Sequence, residues 1–462
     1  MSMMKGFSNA FSIPELRKKI LITLGLVFVC RLVSQIPTPG VDWGVLKQIV
    51  EDMRNAPGGG GILDMFEVFT GGALSSCAIG TLSIWPYISA QIVIQLLGSV
   101  IPSLEKLKKE GESGRQQLAQ ITRYLTIVLC VVQAWMISTA LLHPAALGLG
   151  NVTLVPGVAE GSFGLGFRLL TVIGMTTASL FVMWVADQIT TFGIGNGASL
   201  IIMINITSRL PLALQMAYER YFGAETKGSL AELCILVCFF LIVVMGTVML
   251  TQGVRKVAIH STRRSLAGGA GFGMQQSFMP LRVNYTGVMP IIFAQPLIAI
   301  PCAIVMKFFP AESFPNIYNF AKTLAEPSAL HLCLYAILIM FFTFFWVATQ
   351  FNAIDISENL KKDSSYIPGI RPGLATAEYL DDVMTKVTLI GGTGLLVIAI
   401  FPMILTAWLG IPGSIAGFFG GTSLLIIVGV ALDTLRIMES HLLVRKYDGF
   451  LAHGSLRGRG GM

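Results

Sequence analysis

Residues Leu230 to Thr251 read LAELCILVCFFLIVVMGTVMLT, with Glu232 as the single charge. A half-exposed strand alternates polar and apolar residues, and a surface helix of a soluble protein keeps a polar face. This run does neither. At about 1.5 Å of rise per residue it is long enough to cross a hydrocarbon layer about 30 Å thick. Similar stretches recur along the 462 residues, of which 54% are hydrophobic and 12% charged. The charged fraction is half the roughly 25% of a soluble domain, so there is too little polar surface to cover a water-soluble core. A soluble enzyme, a disordered chain and a collagen-like chain are excluded. So is an outer-membrane barrel, whose strands alternate. The class this defines is an all-α polytopic membrane protein.

Ten apolar stretches predict ten transmembrane helices, near 20–38, 74–97, 122–142, 167–189, 196–214, 230–251, 287–309, 329–350, 384–407 and 413–434. The first follows Lys5, Arg17, Lys18 and Lys19, as a signal peptide would. It runs to Ile36 and Pro37-Thr38-Pro39-Gly40 without a small-residue cleavage pattern, so it is read as a retained span. Most of the 32 Lys and Arg fall on one side. That side holds the N-terminus, then Lys106, Lys108, Lys109, Arg115 and Arg123, then Arg255, Lys256, Arg263, Arg264 and Arg282. Lys361, Lys362, Arg371, Lys386 and the tail from Arg436 complete it. The positive-inside rule makes it cytoplasmic, with both termini inside. The expected organisation is an N-terminal half over 1–214, an external hinge loop over 215–229, a C-terminal half over 230–440 and a cytoplasmic tail over 441–462. Long cytoplasmic loops are expected at about 252–286 and 351–383. Five spans per half set the halves in opposite orientations, so a structural repeat between them would be inverted.

Polar residues crowd two spans. The second carries Ser75, Ser76, Thr81, Ser83, Pro86, Ser89 and Gln91, and the fifth carries Asn196, Ser199, Asn205, Thr207 and Ser208. Such helices sit inside a bundle, either lining a polar path or bonding helix to helix. Apolar residues interrupt them: Ile84 and Ile88, four apart on one helix face, and Ile202. Ile292 in the seventh span and Ile426 in the tenth would complete a hydrophobic constriction if all five met; such a collar gates by excluding water. Between the first two spans, Gly58-Gly59-Gly60-Gly61 precedes a short amphipathic segment and Thr70-Gly71-Gly72 follows it. Four glycines in a row cannot hold a helix. The segment is either a movable element or an interfacial helix on the outer surface.

Catalytic chemistry finds no support. Gly193-Ile194-Gly195-Asn196-Gly197 lacks the preceding strand and following acid of a dinucleotide site and reads as a tight turn. No Walker A motif, mid-membrane carboxylate or nucleophile–base pair is present. The seven cysteines form no CxxC pair and read as small buried hydrophobes. No cofactor, metal or catalytic residue is expected.

The chain resembles the SecY family of channel subunits of the bacterial Sec protein translocase. The resemblance covers nearly its whole length. It rests on Met65-Phe66 through Phe69-Thr70-Gly71-Gly72-Ala73-Leu74-Ser75 and on Pro86-Tyr87-Ile88-Ser89-Ala90. Lys108-Lys109-Glu110-Gly111-Glu112-Ser113-Gly114-Arg115, Gly193 to Gly197, Pro368-Gly369-Ile370-Arg371-Pro372-Gly373 and Gly420-Gly421-Thr422-Ser423-Leu424-Leu425-Ile426 add to it. The resemblance implies ten helices in two inverted five-helix halves around an hourglass pore that passes unfolded preproteins. It implies a plug over about 62–73, including Ile62, Leu63, Met65, Phe66, Phe69, Gly71 and Gly72. It implies a pore ring of Ile84, Ile88, Ala198, Ile202, Ile292 and Ile426, in which the family often has a larger aliphatic residue at the Ala198 position. A lateral gate would open to lipid between the second and third spans on one side and the seventh and eighth on the other. Cytoplasmic docking would use Arg255, Lys256, Arg263, Arg264 and Arg371, whose charge also suits ribosomal RNA phosphates. The partners implied are the SecE and SecG subunits, the SecA motor ATPase, the ribosome, signal sequences and nascent polypeptides, membrane lipid, and a second copy in a transient dimer. The location implied is the cell inner membrane. The competing class is a secondary transporter with a five-plus-five inverted repeat.

Overall fold

The computed structural model describes residues 13–42, 44–45, 70–142, 154–155, 164–222, 229–261, 277–309, 314–325, 328–409 and 422–453. In chain order the helices are α1 (Pro14–Val33), α2 (Trp85–Val100), α3 (Pro102–Lys109), α4 (Glu112–Leu142), α5 (Leu165–Phe192), α6 (Gly197–Thr207) and α7 (Leu210–Phe222). They continue with α8 (Leu230–Gln252), α9 (Met289–Phe308), α10 (Pro315–Ala325), α11 (Ala329–Gln350), α12 (Ala353–Lys362), α13 (Leu374–Leu409) and α14 (Thr422–His453). The strands are β1 (Val254–Ser261), β2 (Ser277–Arg282) and β3 (Ser365–Tyr366). Local chemistry sets the starts. Pro14 opens α1, where its missing N–H leaves no intrahelical bond unmade. The side chains of Asn196, Ser229, Ser328 and Asn352 accept first-turn N–H groups at α6, α8, α11 and α12.

Among the described residues seven helical stretches are long and apolar enough to cross a membrane: Ile79–Gly98, Glu112–Leu142, Leu165–Phe192, Gly197–Phe222, Ala231–Gln252, Ala329–Lys362 and Leu374–Ile404. They match the expected second to sixth, eighth and ninth spans. The expected first, seventh and tenth spans correspond to α1, α9 and α14, helices outside that set. Helix α1 carries Arg17, Lys18, Lys19 and Arg31, and α14 carries Asp433, Arg436 and Glu439. Helix α8 exposes Ile235, Val237, Leu241, Ile242, Met245 and Met249, an outward apolar face suited to lipid and not to water. The cysteine expectation needs amending. Cys30, Cys77, Cys130 and Cys302 are buried, but Cys234, Cys238 and Cys333 are exposed, the first two on that α8 face.

The chain divides into two compact units, Met1–Pro211 with Val430–Met462, and Leu212–Gly429. In the first, α5 packs against α1, α4, α6 and a 3-10 turn at Ile79–Leu82. The expected tight turn at Gly193–Gly197 joins α5 to α6. Thr23 Oγ1 accepts from Ile194 N–H (3.1 Å) and Thr190 Oγ1 from Gly197 N–H (2.9 Å), which ties the turn to α1 and α5. A Cβ on Gly197 would collide with the Ala186 carbonyl oxygen, so only glycine permits this approach.

In the second unit, α8, α9, α11 and α13 enclose a core that includes Val243, Ile291, Ile298, Tyr335, Ile339 and Leu395. Beyond the end of α8 lies a three-stranded sheet in the order β2-β1-β3, which corrects the all-α expectation. Strands β1 and β2 pair antiparallel from Val254↔Arg282 to Ile259↔Ser277, and β1 pairs β3 at His260↔Tyr366 and Ser261↔Ser365. β-Branched residues favour the extended form, and Val257 and Leu281 bury in a cluster with Val347, Phe351, Ile367, Leu380 and Met384. Helices α3, α10 and α12 occupy stretches that the sequence offers as loops.

Candidate functional site

The approach to α2 is not helical. Residues 71–77 form turns, with Gly71 at φ +65° and Gly72 at φ +91°. Pro37 bridges Ala78, the 3-10 turn follows, and α2 begins only at Trp85 because Pro86 fits a first turn and Ser83, at φ +47°, does not fit a helix. Ile84 is the cap residue of α2, and its carbonyl accepts from Ile88 N–H (3.1 Å), so the two stack one turn apart. Both are buried, at 2% and 7% exposed. Ala198 and Ile202 are half-buried on α6. Ile292, in the first turns of α9, and Ile426, near the start of α14, are buried within the second unit's span of sequence. Four of the six ring candidates therefore belong to the first unit and two to the second. Of the plug candidates, Gly71 and Gly72 are described; Ile62, Leu63, Met65, Phe66 and Phe69 lie outside the described residues.

A largely buried polar network converges on Ser83, the residue before Ile84. Arg31 Nη2 donates to the Gly71 carbonyl and Nη1 to Asn205 Oδ1, each at 3.3 Å. Ser208 Oγ donates to the Asn205 carbonyl (2.7 Å) and approaches the Gly71 carbonyl at 3.5 Å. Asn205 Nδ2 donates to Ser83 Oγ (3.0 Å), and Ser179 Oγ donates to the Ser83 carbonyl (2.8 Å). The Asn205–Ser83 bond thus ties the entry of α2 to α6. In the sequence Arg31 stands out only as a lone charge within the first apolar stretch. Its partners are 40 and 174 positions away, and no local pattern announces them.

The basic residues gather on the sheet of the second unit. Arg255 and Lys256 are exposed on β1, opposite Leu281 and Pro280. Arg371 is exposed in the turn between β3 and α13, flanked by Gly369 (φ +82°) and Gly373 (φ +106°). Its carbonyl accepts from Thr376 Oγ1 (2.9 Å), and nearby Ile367 is buried in the cluster beneath β1. Among the described residues Arg371 makes no ion pair; Asp382 pairs instead with Lys386 at 2.7 Å. Arg263 and Arg264 lie outside the described residues. Two stretches that the sequence offers as separate loops are thus one folded platform.

Lipid-suited helices, buried isoleucines at the start of α2 beside a polar network, and a basic three-stranded sheet together describe a polytopic helical membrane protein. The family model for SecY matches residues 78–435. Relatives named protein translocase subunit SecY include that of Thermotoga maritima, 37% identical over 457 residues that cover 99% of this chain and all of the relative. The protein of Haemophilus influenzae is 39% identical over 451 residues, 96% of each chain, and that of Escherichia coli 37% identical over 448 residues, also 96% of each. The chain belongs to the SecY family. The fold is shared with a solved protein-conducting channel (TM-score 0.57, 17% identity, 97% of this chain and 98% of that one). It is shared also with Sec61 in a canine ribosome-channel complex (TM-score 0.58, 16% identity, 97% and 98%).

Proposed function

We propose that this chain is the central protein-conducting channel of a Sec translocase in the cell inner membrane, passing unfolded preproteins through a pore and releasing transmembrane segments to lipid through a lateral gate. The observation that carries this is the identity of 36–39% to curated translocase subunits over nearly the whole chain. Hydropathy and the Lys and Arg distribution support ten spans with both termini cytoplasmic, and the family resemblance supports two inverted halves. The pore ring is Ile84, Ile88, Ala198, Ile202, Ile292 and Ile426, and the plug covers about 62–73. Arg255, Lys256, Arg263, Arg264 and Arg371 dock SecA or the ribosome, and SecE and SecG complete the channel, which pairs transiently with a second copy.

The mechanism follows from the side chains. A rigid polar channel wide enough for a peptide would leak ions. Aliphatic groups offer water no hydrogen-bond partners, so their constriction dewets at rest, and they yield around any passing side chain because they make no specific polar contact.

A translocating polypeptide carrying a photocrosslinker is expected to label the second and seventh spans. Labelling confined to other helices, or substrate-coupled ion flux in vesicles of the purified chain, would point to a transporter. For topology, a reporter active only in the cytoplasm is expected to work when fused after Gly449 and to fail near Gly58; the opposite result inverts every loop assignment.

A further inference from the structure

Ser83 adopts φ +47° and ψ −135°, a conformation that L side chains rarely take and that persists only where the surroundings over-determine it. All three of its polar groups are held, the N–H donating to the Gly80 carbonyl at 2.9 Å. The carbonyl accepts from Ser179 Oγ at 2.8 Å and the hydroxyl accepts from Asn205 Nδ2 at 3.0 Å. Ser83 is 4% and Asn205 3% exposed, so water does not compete for these bonds. The Asn205 amide is held in turn by Arg31 at 3.3 Å. Ser83 immediately precedes Ile84 at the start of α2, and Asn205 lies one turn after Ile202 on α6. One amide therefore links the elements that carry both groups of ring candidates in the first unit.

We propose that Ser83, Asn205 and Ser179 are positioning residues of the seal: they fix Ile84 and Ile88 against Ile202 and so set the resting conductance and the selectivity of opening. This rests on the ring reading above. The device trades local strain for precision. The strained backbone aims Ile84, and the Asn205 bond stops Ser83 from relaxing.

Ser83→Gly separates positioning from stability. Glycine takes a positive φ freely, so the fold and its Tm are retained, while the bond to Asn205 is lost. The purified channel complex in planar bilayers is expected to show a rise of about fivefold or more in resting conductance, because a constriction out of register stays wet. Asn205→Ala is expected to do the same. The double variant should leak no more than Asn205→Ala alone, since that variant has already lost the bond to Ser83. Parent conductance in Ser83→Gly and in Asn205→Ala, whatever their Tm, overturns the proposal. Ile88→Asn and Ile202→Asn serve as ring controls. If neither leaks, the ring reading falls and this proposal with it. If they leak and Ser83→Gly does not, positioning alone is wrong.

Discussion

Ile88→Asn is expected to raise the resting conductance of the channel about tenfold, because a polar group in a hydrophobic constriction nucleates a water path, while protein abundance stays normal. Ile88 is 7% exposed, one turn into α2. At a merely packed position a buried amide without partners would cost about 1–3 kcal/mol, enough to lower the amount of folded protein. In a pore, water supplies the partners, so the penalty vanishes and ions gain a route. Conductance and abundance measured on the same preparation therefore separate a ring from a core. A drop in abundance without a leak would assign Ile88 to helix packing. Deleting residues 62–70 should add to the leak and relax signal-sequence selectivity, and Ala198→Ile in that background should lower it by narrowing the constriction.

Arg371→Glu is expected to cut preprotein transport while membrane insertion of the channel is unchanged. The turn that holds Arg371 is fixed without its side chain, through Thr376, Gly369, Gly373 and buried Ile367. The exposed guanidinium has no ion pair among the described residues, so reversing its charge removes nothing from the fold. An arginine anchor at an interface contributes about 2 kcal/mol or more, which is about thirtyfold in affinity, and transport at limiting SecA should fall on that scale. Arg371→Lys should fall between the two, since lysine keeps the charge but not the planar fork. Transport equal to the parent's would remove Arg371 from the docking surface.

What the sequence discloses about this molecule depends on how far apart the interacting residues lie. The run at Leu230–Thr251 becomes α8 almost residue for residue, because lipid acts on every position of a span. Span ends are less legible. Helix α4 starts at Glu112, ten positions before the expected 122, and α13 at Leu374, ten before the expected 384. Both helices continue beyond their apolar stretches, because polar residues suit a helix equally well. The broken entry to α2 was hidden because Ser83 is an ordinary residue in an extraordinary conformation. The Asn205–Ser83 bond joins positions 122 apart, and β3 is two residues long, too short for any periodicity. Of the candidate site, the aliphatic positions and Arg371 were readable from motif and context, whereas the bonds that hold them in place were not.

The antiparallel pairing of His260 with Tyr366 and Ser261 with Ser365 has a mechanical meaning. A force applied at the turn carrying Arg371 reaches the β1–β2 hairpin through main-chain bonds, without the slack of a flexible tether. The two segments act as a single lever. Their amide hydrogens are expected to exchange together, as one opening unit. Under the docking proposed above, a ligand that captures one segment would find the other already at high effective concentration, and binding is expected to proceed in one step with one affinity.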